Sequence, residues 1–125
     1  MTVVDVFGEK DFILELSSLC NNGTDPTERA LLGAAAEHGL EKGRLEKNHP
    51  RVSEIPFDSG RKLMTTIHRR GNGYRVITKG APDVLLERCL VSPEKKRMLL
   101  TENSEMARRA LRVIGVAYAL SLIHI

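Results

Sequence analysis

Ile55-Pro56-Phe57-Asp58-Ser59-Gly60-Arg61-Lys62-Leu63-Met64-Thr65-Thr66-Ile67-His68-Arg69-Arg70-Gly71-Asn72-Gly73-Tyr74-Arg75-Val76-Ile77-Thr78-Lys79-Gly80-Ala81-Pro82-Asp83 is the stretch on which the rest of the chain depends. Leu63, Thr65 and Ile67 alternate with Met64, Thr66 and His68, and the β-branched residues among them suit a pleated, half-buried surface. Tyr74, Val76 and Thr78 alternate with Arg75, Ile77 and Lys79 on the return. Asn72-Gly73 is the dipeptide favoured in two-residue type I′ hairpin loops, where both central residues need positive φ. With that loop, Gly71 faces Tyr74 and Thr66 faces Lys79. Lys62, Met64, Thr66 and His68 then share one face with Arg75, Ile77 and Lys79, which makes it cationic.

The chain next passes Gly80, where backbone can approach a ligand closely, and enters a helix with Pro82 near its first position. A helix start beside lysines favours an anion, and Phe57 is the nearest large aromatic for stacking. These residues suit a planar, negatively charged ligand without naming it.

Working outward, Asp25-Pro26-Thr27-Glu28 is a strong helix start, with Asp25 as N-cap, Pro26 in first position and Glu28 where a capping-box acid reaches back. Leu31, Leu32 and Ala35 extend it to about Gly39. Thr2 to Val6 suggests a short strand or a stub, and Asp11 to Asn21 a helix carrying Phe12, Leu14, Leu16 and Leu19. Lys42 to Pro50 is polar and punctuated by Gly43 and Pro50, which predicts a loop. Val52 to Phe57 is predicted as a strand with Ile55 and Phe57 on the same side. A helix over Pro82 to Cys89 follows, then a turn or short helix from Ser92 and a second helix from Thr101 to Ala110. The apolar run Val113 to Ala119 predicts a strand inside the sheet.

The chain has 125 residues, enough for one domain with an adequate core. A formal charge of +3 suits a phosphate-bearing ligand and is too small to argue for nucleic acid. Cys20 and Cys89 lack metal or redox spacing and are expected as reduced, partly buried thiols. His38, His49, His68 and His124 show no ligand spacing, so no metal site is expected. No phosphate-loop motif is present. Gly71-Asn72-Gly73 precedes a strand, which excludes a dinucleotide fingerprint. No signal peptide opens the chain, which points to the cytosol, and the apolar tail is shorter than the ~20 residues of a membrane helix.

Phe57-Asp58-Ser59-Gly60-Arg61-Lys62-Leu63-Met64 followed by Lys79-Gly80-Ala81-Pro82-Asp83 resembles the nucleotide-binding domain of P-type cation-transporting ATPases. Asp25-Pro26-Thr27-Glu28 with Ala30-Leu31-Leu32, and Ala110-Leu111-Arg112-Val113-Ile114, agree in order and spacing. The four motifs, spread from Asp25 to Tyr118, make the likeness specific, and its style is closer to the calcium-pump branch than to the heavy-metal branch. The resemblance implies an α/β (α+β) fold, a twisted antiparallel sheet flanked by helices, inserted within a phosphorylation domain. It implies a nucleotide-binding domain over residues 1–119, with 120–125 an atypical, truncated or non-native tail.

The resemblance also assigns roles. Phe57 would stack on adenine, Glu28 would lie beside the adenine amino group, and Lys79 would sit deep in the pocket. Lys62 and Arg112 would lie toward the phosphates, and Gly80 would let the backbone approach the nucleotide. The implied ligand is ATP, as Mg-ATP in the parent pump, whose γ-phosphate goes to an aspartate of an Asp-Lys-Thr-Gly motif absent here. The fragment is therefore expected to bind ATP and not hydrolyse it. Its implied partners are the phosphorylation and actuator domains, with no nucleic acid and no direct membrane insertion, as the cytoplasmic part of an integral membrane protein. Two other readings are a non-enzymatic adaptor that offers the basic hairpin face to an acidic partner, and a degenerate domain that keeps only the fold.

Overall fold

The computed structural model describes residues 1–121. In chain order the elements are α1 (Lys10–Leu19), α2 (Pro26–Glu37), α3 (Lys42–Asn48), β1 (Arg51–Asp58), β2 (Leu63–Arg70), β3 (Gly73–Gly80), α4 (Pro82–Glu87), α5 (Pro93–Arg108) and β4 (Gly115–Ser121). The four strands form one antiparallel sheet in the order β1-β2-β3-β4, with helices on both sides. This is the expected α/β class. β4 lies at an edge of the sheet instead of inside it, because β3 is its one neighbour among the described residues. Thr2 to Val6 is not a strand, and 122–125 of the expected atypical tail lie outside the described residues.

One face of the sheet holds the main core. Leu16, Leu19 and Cys20 at the end of α1 pack with Leu45 of α3, Met64 of β2 and Ile77 of β3. Cys20 is a free, fully buried thiol whose Sγ approaches the carbonyls of Met64 and Ile77, and burial pushes its pKa up. On the opposite face Leu63 is fully buried, and α4 brings in Leu85 and Leu86. Each Leu removed from water there contributes roughly 2 kcal/mol.

Three local expectations change. Residues 42–48 are helical because the Glu41 carboxylate accepts from Gly43 N at 3.0 Å, Lys42 pairs with Glu46 one turn on, and Leu45 is buried. The two expected pieces after Ser92 form one sixteen-residue helix, since 94–108 contains no Gly or Pro and Ser92 caps it by accepting from Lys95 N. The hairpin loop is Gly71-Asn72, with Arg70 opposite Gly73. Gly71 takes φ 58° and Asn72 does not take positive φ, the pattern of a II′ turn with glycine first. Met64, not Thr66, therefore faces Lys79, and Arg69, not Gly71, faces Tyr74. The slip is two residues, so every side chain keeps its expected face.

The cationic face is nevertheless not a surface. His68, Arg75 and Lys79 are all buried beneath the helices. Arg75 pairs with Glu15 of α1 at 3.2 Å and lies 5.6 Å over the Phe12 ring, while Lys79 meets Glu28 of α2. His68 is bonded to the His49 carbonyl and the Thr66 hydroxyl, and its pKa is lowered by burial, so it is neutral near pH 7. Acids on two helices that the hairpin pattern could not reveal neutralise this face. An acidic partner finds little there to bind, which removes support from the adaptor reading.

Candidate nucleotide site

A bulge in the edge strand builds the site. Ile55 pairs with Thr65 and Asp58 pairs with Leu63, so Pro56 and Phe57 together stand opposite the single residue Met64. Proline has no N–H to give a ladder and is tolerated at such a place on an edge. The extra residue breaks the alternation expected from the sequence. Ile55 stays on the side of Thr65, while Phe57 turns to the side of Met64, and Met64 is the cross-strand partner of Lys79. Phe57 and Lys79 thus occupy one face on strands two apart, about 10 Å between backbones. Phe57 is 61% exposed, whereas Lys79 is only 7% exposed.

Lys79 points at the start of α2. Its Nζ lies 3.4 Å from Glu28 Oε2, its one hydrogen-bond partner among the described residues. Glu28 is far better provided. Oε2 also accepts from Asn22 N at 3.0 Å, and Oε1 accepts from Thr24 N at 3.1 Å and the Thr24 hydroxyl at 2.7 Å. A carboxylate has about four acceptor positions, and here all are used. The helix start is as expected in one half, with Asp25 Oδ1 accepting from Glu28 N at 2.8 Å. Glu28 itself reaches Asn22 and Thr24 instead of the Asp25 N–H.

A family model described as P-type ATPase, cytoplasmic domain N, matches residues 14–122 of this chain. The chain belongs to that family. The N domain is 39% identical over 124 residues to calcium-transporting ATPase 1 of Bacillus cereus and 40% identical over 129 residues to the calcium-transporting ATPase of Bacillus subtilis. Each match covers 85% of this chain and 14% of the relative. Calcium-transporting ATPase 1 of Lactococcus lactis is 34% identical over 151 residues, covering 94% of the chain and 17% of the relative. The chain thus spans about one-sixth or less of the length of these relatives. No helix among the described residues is long and apolar enough to cross a membrane.

Around this pair the N domain distributes the other candidate residues unevenly. Gly80 follows Lys79 and lies directly over the start of β2, where the Lys62 carbonyl accepts from Ala81 N at 3.2 Å. Lys62 is exposed with φ 62°, closing a turn in which Asp58 Oδ2 also accepts from Arg61 N. Lys62 and Gly80 are therefore backbone neighbours. Arg112 is exposed three residues before Gly115, which pairs with Gly80. Its side chain lines an open groove of about 1130 Å³ on the other face of the sheet, beside Leu63, Thr65, Val76 and Thr78. That groove includes none of Glu28, Phe57, Lys62, Lys79 or Gly80. The structure joins Glu28 to Lys79, sets Gly80 against the Lys62 backbone, places Phe57 on the face of Lys79 and leaves Arg112 at the far side of the same sheet end.

The Glu28 carboxyl titrates at about 2. Burial alone would raise it, but the Asn22 N–H, the Thr24 hydroxyl and N–H, and the Lys79 charge together outweigh burial. A folded-state pKa below the ordinary value of 4.5 stabilises the N domain above pH 4.5, and the stabilisation is lost as pH falls from 4.5 toward 2. A shift of that size is linked to roughly 3 kcal/mol. Acid titration followed by circular dichroism should show stability falling through that window. In Glu28→Gln the component should vanish, and an unchanged acid profile in that variant would refute the assignment.

Two residues that hold this arrangement, Thr24 on the Glu28 carboxylate and Arg51 on the end of α1, carried no signal in the sequence. The presence of Pro56 inside an otherwise strand-like run was a usable hint of the bulge.

Proposed function

We propose that this N domain binds ATP as the nucleotide-holding domain of a cation-transporting P-type ATPase, with calcium the cation that its relatives' names favour. The observation that carries the reading is Lys79. It is a buried lysine whose ammonium has one long contact, to a fully engaged carboxylate, on the face that presents an exposed aromatic residue. A buried cation with unused donors favours an acceptor-rich ligand, and a ring left 61% in water gains by stacking. The purine lies against Phe57, and Lys79 reaches its polar edge. Because the Glu28 acceptors are all taken, an adenine amino group reaches that carboxylate by replacing Lys79, the longest of its four contacts. Lys62 and Arg112 lie toward the sheet end that would hold the phosphates, and Gly80 leaves the backbone there without a side chain. In the parent pump the γ-phosphate would pass from Mg-ATP to an aspartate outside this chain. The domain alone holds the nucleotide and does not cleave it.

An NMR titration tests this. ATP should give saturable shifts at Phe57, Glu28 and Lys79, while inorganic triphosphate binds weakly by comparison. No saturable shift at these residues up to millimolar ATP defeats the proposal. Phe57→Ala should lower ATP affinity about tenfold, since a base–aromatic stack is worth about 1–3 kcal/mol. Its thermal midpoint should stay within about 2 °C of the parent, because little of the ring is buried. An undiminished ATP affinity in Phe57→Ala would remove the stacking role.

A further inference from the structure

Arg51 stands at the first position of β1, across the sheet from His68, and its side chain turns away from the strand to the end of α1. Its Nη2 donates to the carbonyls of Leu19 at 2.8 Å and Asn21 at 2.9 Å. Its Nη1 donates to Asn22 Oδ1 at 2.6 Å and meets Glu54 Oε2 at 3.3 Å. Helix α1 has no basic residue in its last turn, so the cation that complements its carbonyl end comes from another element. The residues that Arg51 grips are the ones that hold Glu28. The Asn22 N–H donates to Glu28 Oε2, and the buried Asn21 amide donates to the Glu28 carbonyl at 2.9 Å. Asn21 Oδ1 in turn accepts from Gly23 N at 2.7 Å, one residue before Thr24 and its two bonds to Glu28 Oε1.

We propose that Arg51 is a positioning residue for the nucleotide site, clamping the 19–22 turn so that the Asn22 and Thr24 donors hold the Glu28 carboxylate against Lys79. A planar fork with several donors in fixed directions is what gripping two carbonyls and an amide oxygen at once demands, and lysine lacks that geometry. The turn contains two asparagines and runs into Gly23, so without the clamp its backbone has other conformations available. The inference rests on the ATP-binding reading for its functional half.

The experiment compares Arg51→Lys, Arg51→Gln and Asn22→Ala in the whole chain. Asn22→Ala removes the oxygen that Arg51 grips while keeping the backbone donor to Glu28, and the Asn22 side chain is exposed, so this variant should fold even where the Arg51 variants do not. Carboxyl-carbon NMR reads the Glu28 titration midpoint, and calorimetry reads ATP affinity. The midpoint should move from about 2 toward 4.5 in each variant, with Arg51→Lys restoring only part of the shift. ATP affinity should fall about tenfold in Arg51→Gln and less in Asn22→Ala, as one to two charge-assisted hydrogen bonds are lost. A purely structural Arg51 would lower the unfolding temperature and leave the midpoint alone. Folded variants with an unmoved Glu28 midpoint and ATP affinity within twofold overturn the proposal. A parent chain that binds no ATP overturns the nucleotide reading instead, and the midpoints still decide whether Arg51 sets the carboxylate.

Discussion

Gly80→Ala is expected to lose on the order of 3 kcal/mol and about 10 °C of thermal midpoint. A Cβ at this position would lie 2.3 Å from the Lys62 carbonyl oxygen, 2.8 Å from Leu63 Cδ2 and 3.0 Å from Leu63 Cα. Two of the three obstacles are backbone, and the third is a methyl of the fully buried Leu63 side chain. Relief requires the end of β3 to separate from the start of β2, which breaks the Leu63–Gly80 pairing and the bond from Ala81 N to the Lys62 carbonyl. Lys79 precedes this point and would be displaced with it, so ATP affinity should fall together with stability. The contrast is Gly71, where an added Cβ meets nothing within 4 Å and the cost is limited to its positive φ. Thermal unfolding followed by circular dichroism measures both. A Gly80→Ala midpoint within about 2 °C of the parent would mean that the strand ends separate easily and that the close approach is not structural.

The sequence made the local elements legible where a residue type has one structural use. Asp25-Pro26 marked the start of α2, the alternation of 63–70 and 73–80 marked the central hairpin, and Cys20 was readable as a core thiol. It failed where the decisive partner lay far along the chain. Glu15 and Glu28 are ordinary helix acids until the fold places them under Arg75 and Lys79, and only then does a cationic face become a neutral interior. The loop from Lys42 to Pro50 was misread because Gly43 looks like punctuation, although at the second position of a capped helix it costs little.

In the candidate site, the facing of the ring was the least legible feature. Strict alternation puts Phe57 on the side of Ile55, away from Lys79, and the bulge at Pro56-Phe57 reverses this. One unpaired residue on an edge strand thus decides whether ring and ammonium share a face. A period-two pattern cannot register that residue, because both registers bury the same neighbours on β2. The proline was the mark of irregularity, but it did not specify which way the ring would turn.

The pairing of Lys79 with Glu28 is asymmetric, and the two removals should therefore differ. In Lys79→Met the Glu28 carboxylate keeps three donors, from Asn22 N, Thr24 N and the Thr24 hydroxyl. A methionine of similar length fills the space beside Met64 without an ammonium to desolvate. The expected stability change is small, about 1 kcal/mol, because the three remaining donors still compensate the Glu28 carboxylate and no ammonium is left to desolvate. ATP affinity should fall at least tenfold, since the cation proposed to meet the nucleotide is gone. In Glu28→Gln the balance reverses. Four donors converge on the two side-chain oxygens, and an amide offers one oxygen and an NH2 that must face donors. The Lys79 ammonium also loses its one ion-pair partner among the described residues. The cost should be about 3–5 kcal/mol, the range for leaving a buried charge without its counterpart. Urea unfolding at pH 7 orders the two variants, and calorimetry with ATP reads the affinity. Should Lys79→Met prove as unstable as Glu28→Gln while binding ATP like the parent, Lys79 would be a structural counter-ion for α2, and the nucleotide site would have to lie elsewhere on the domain.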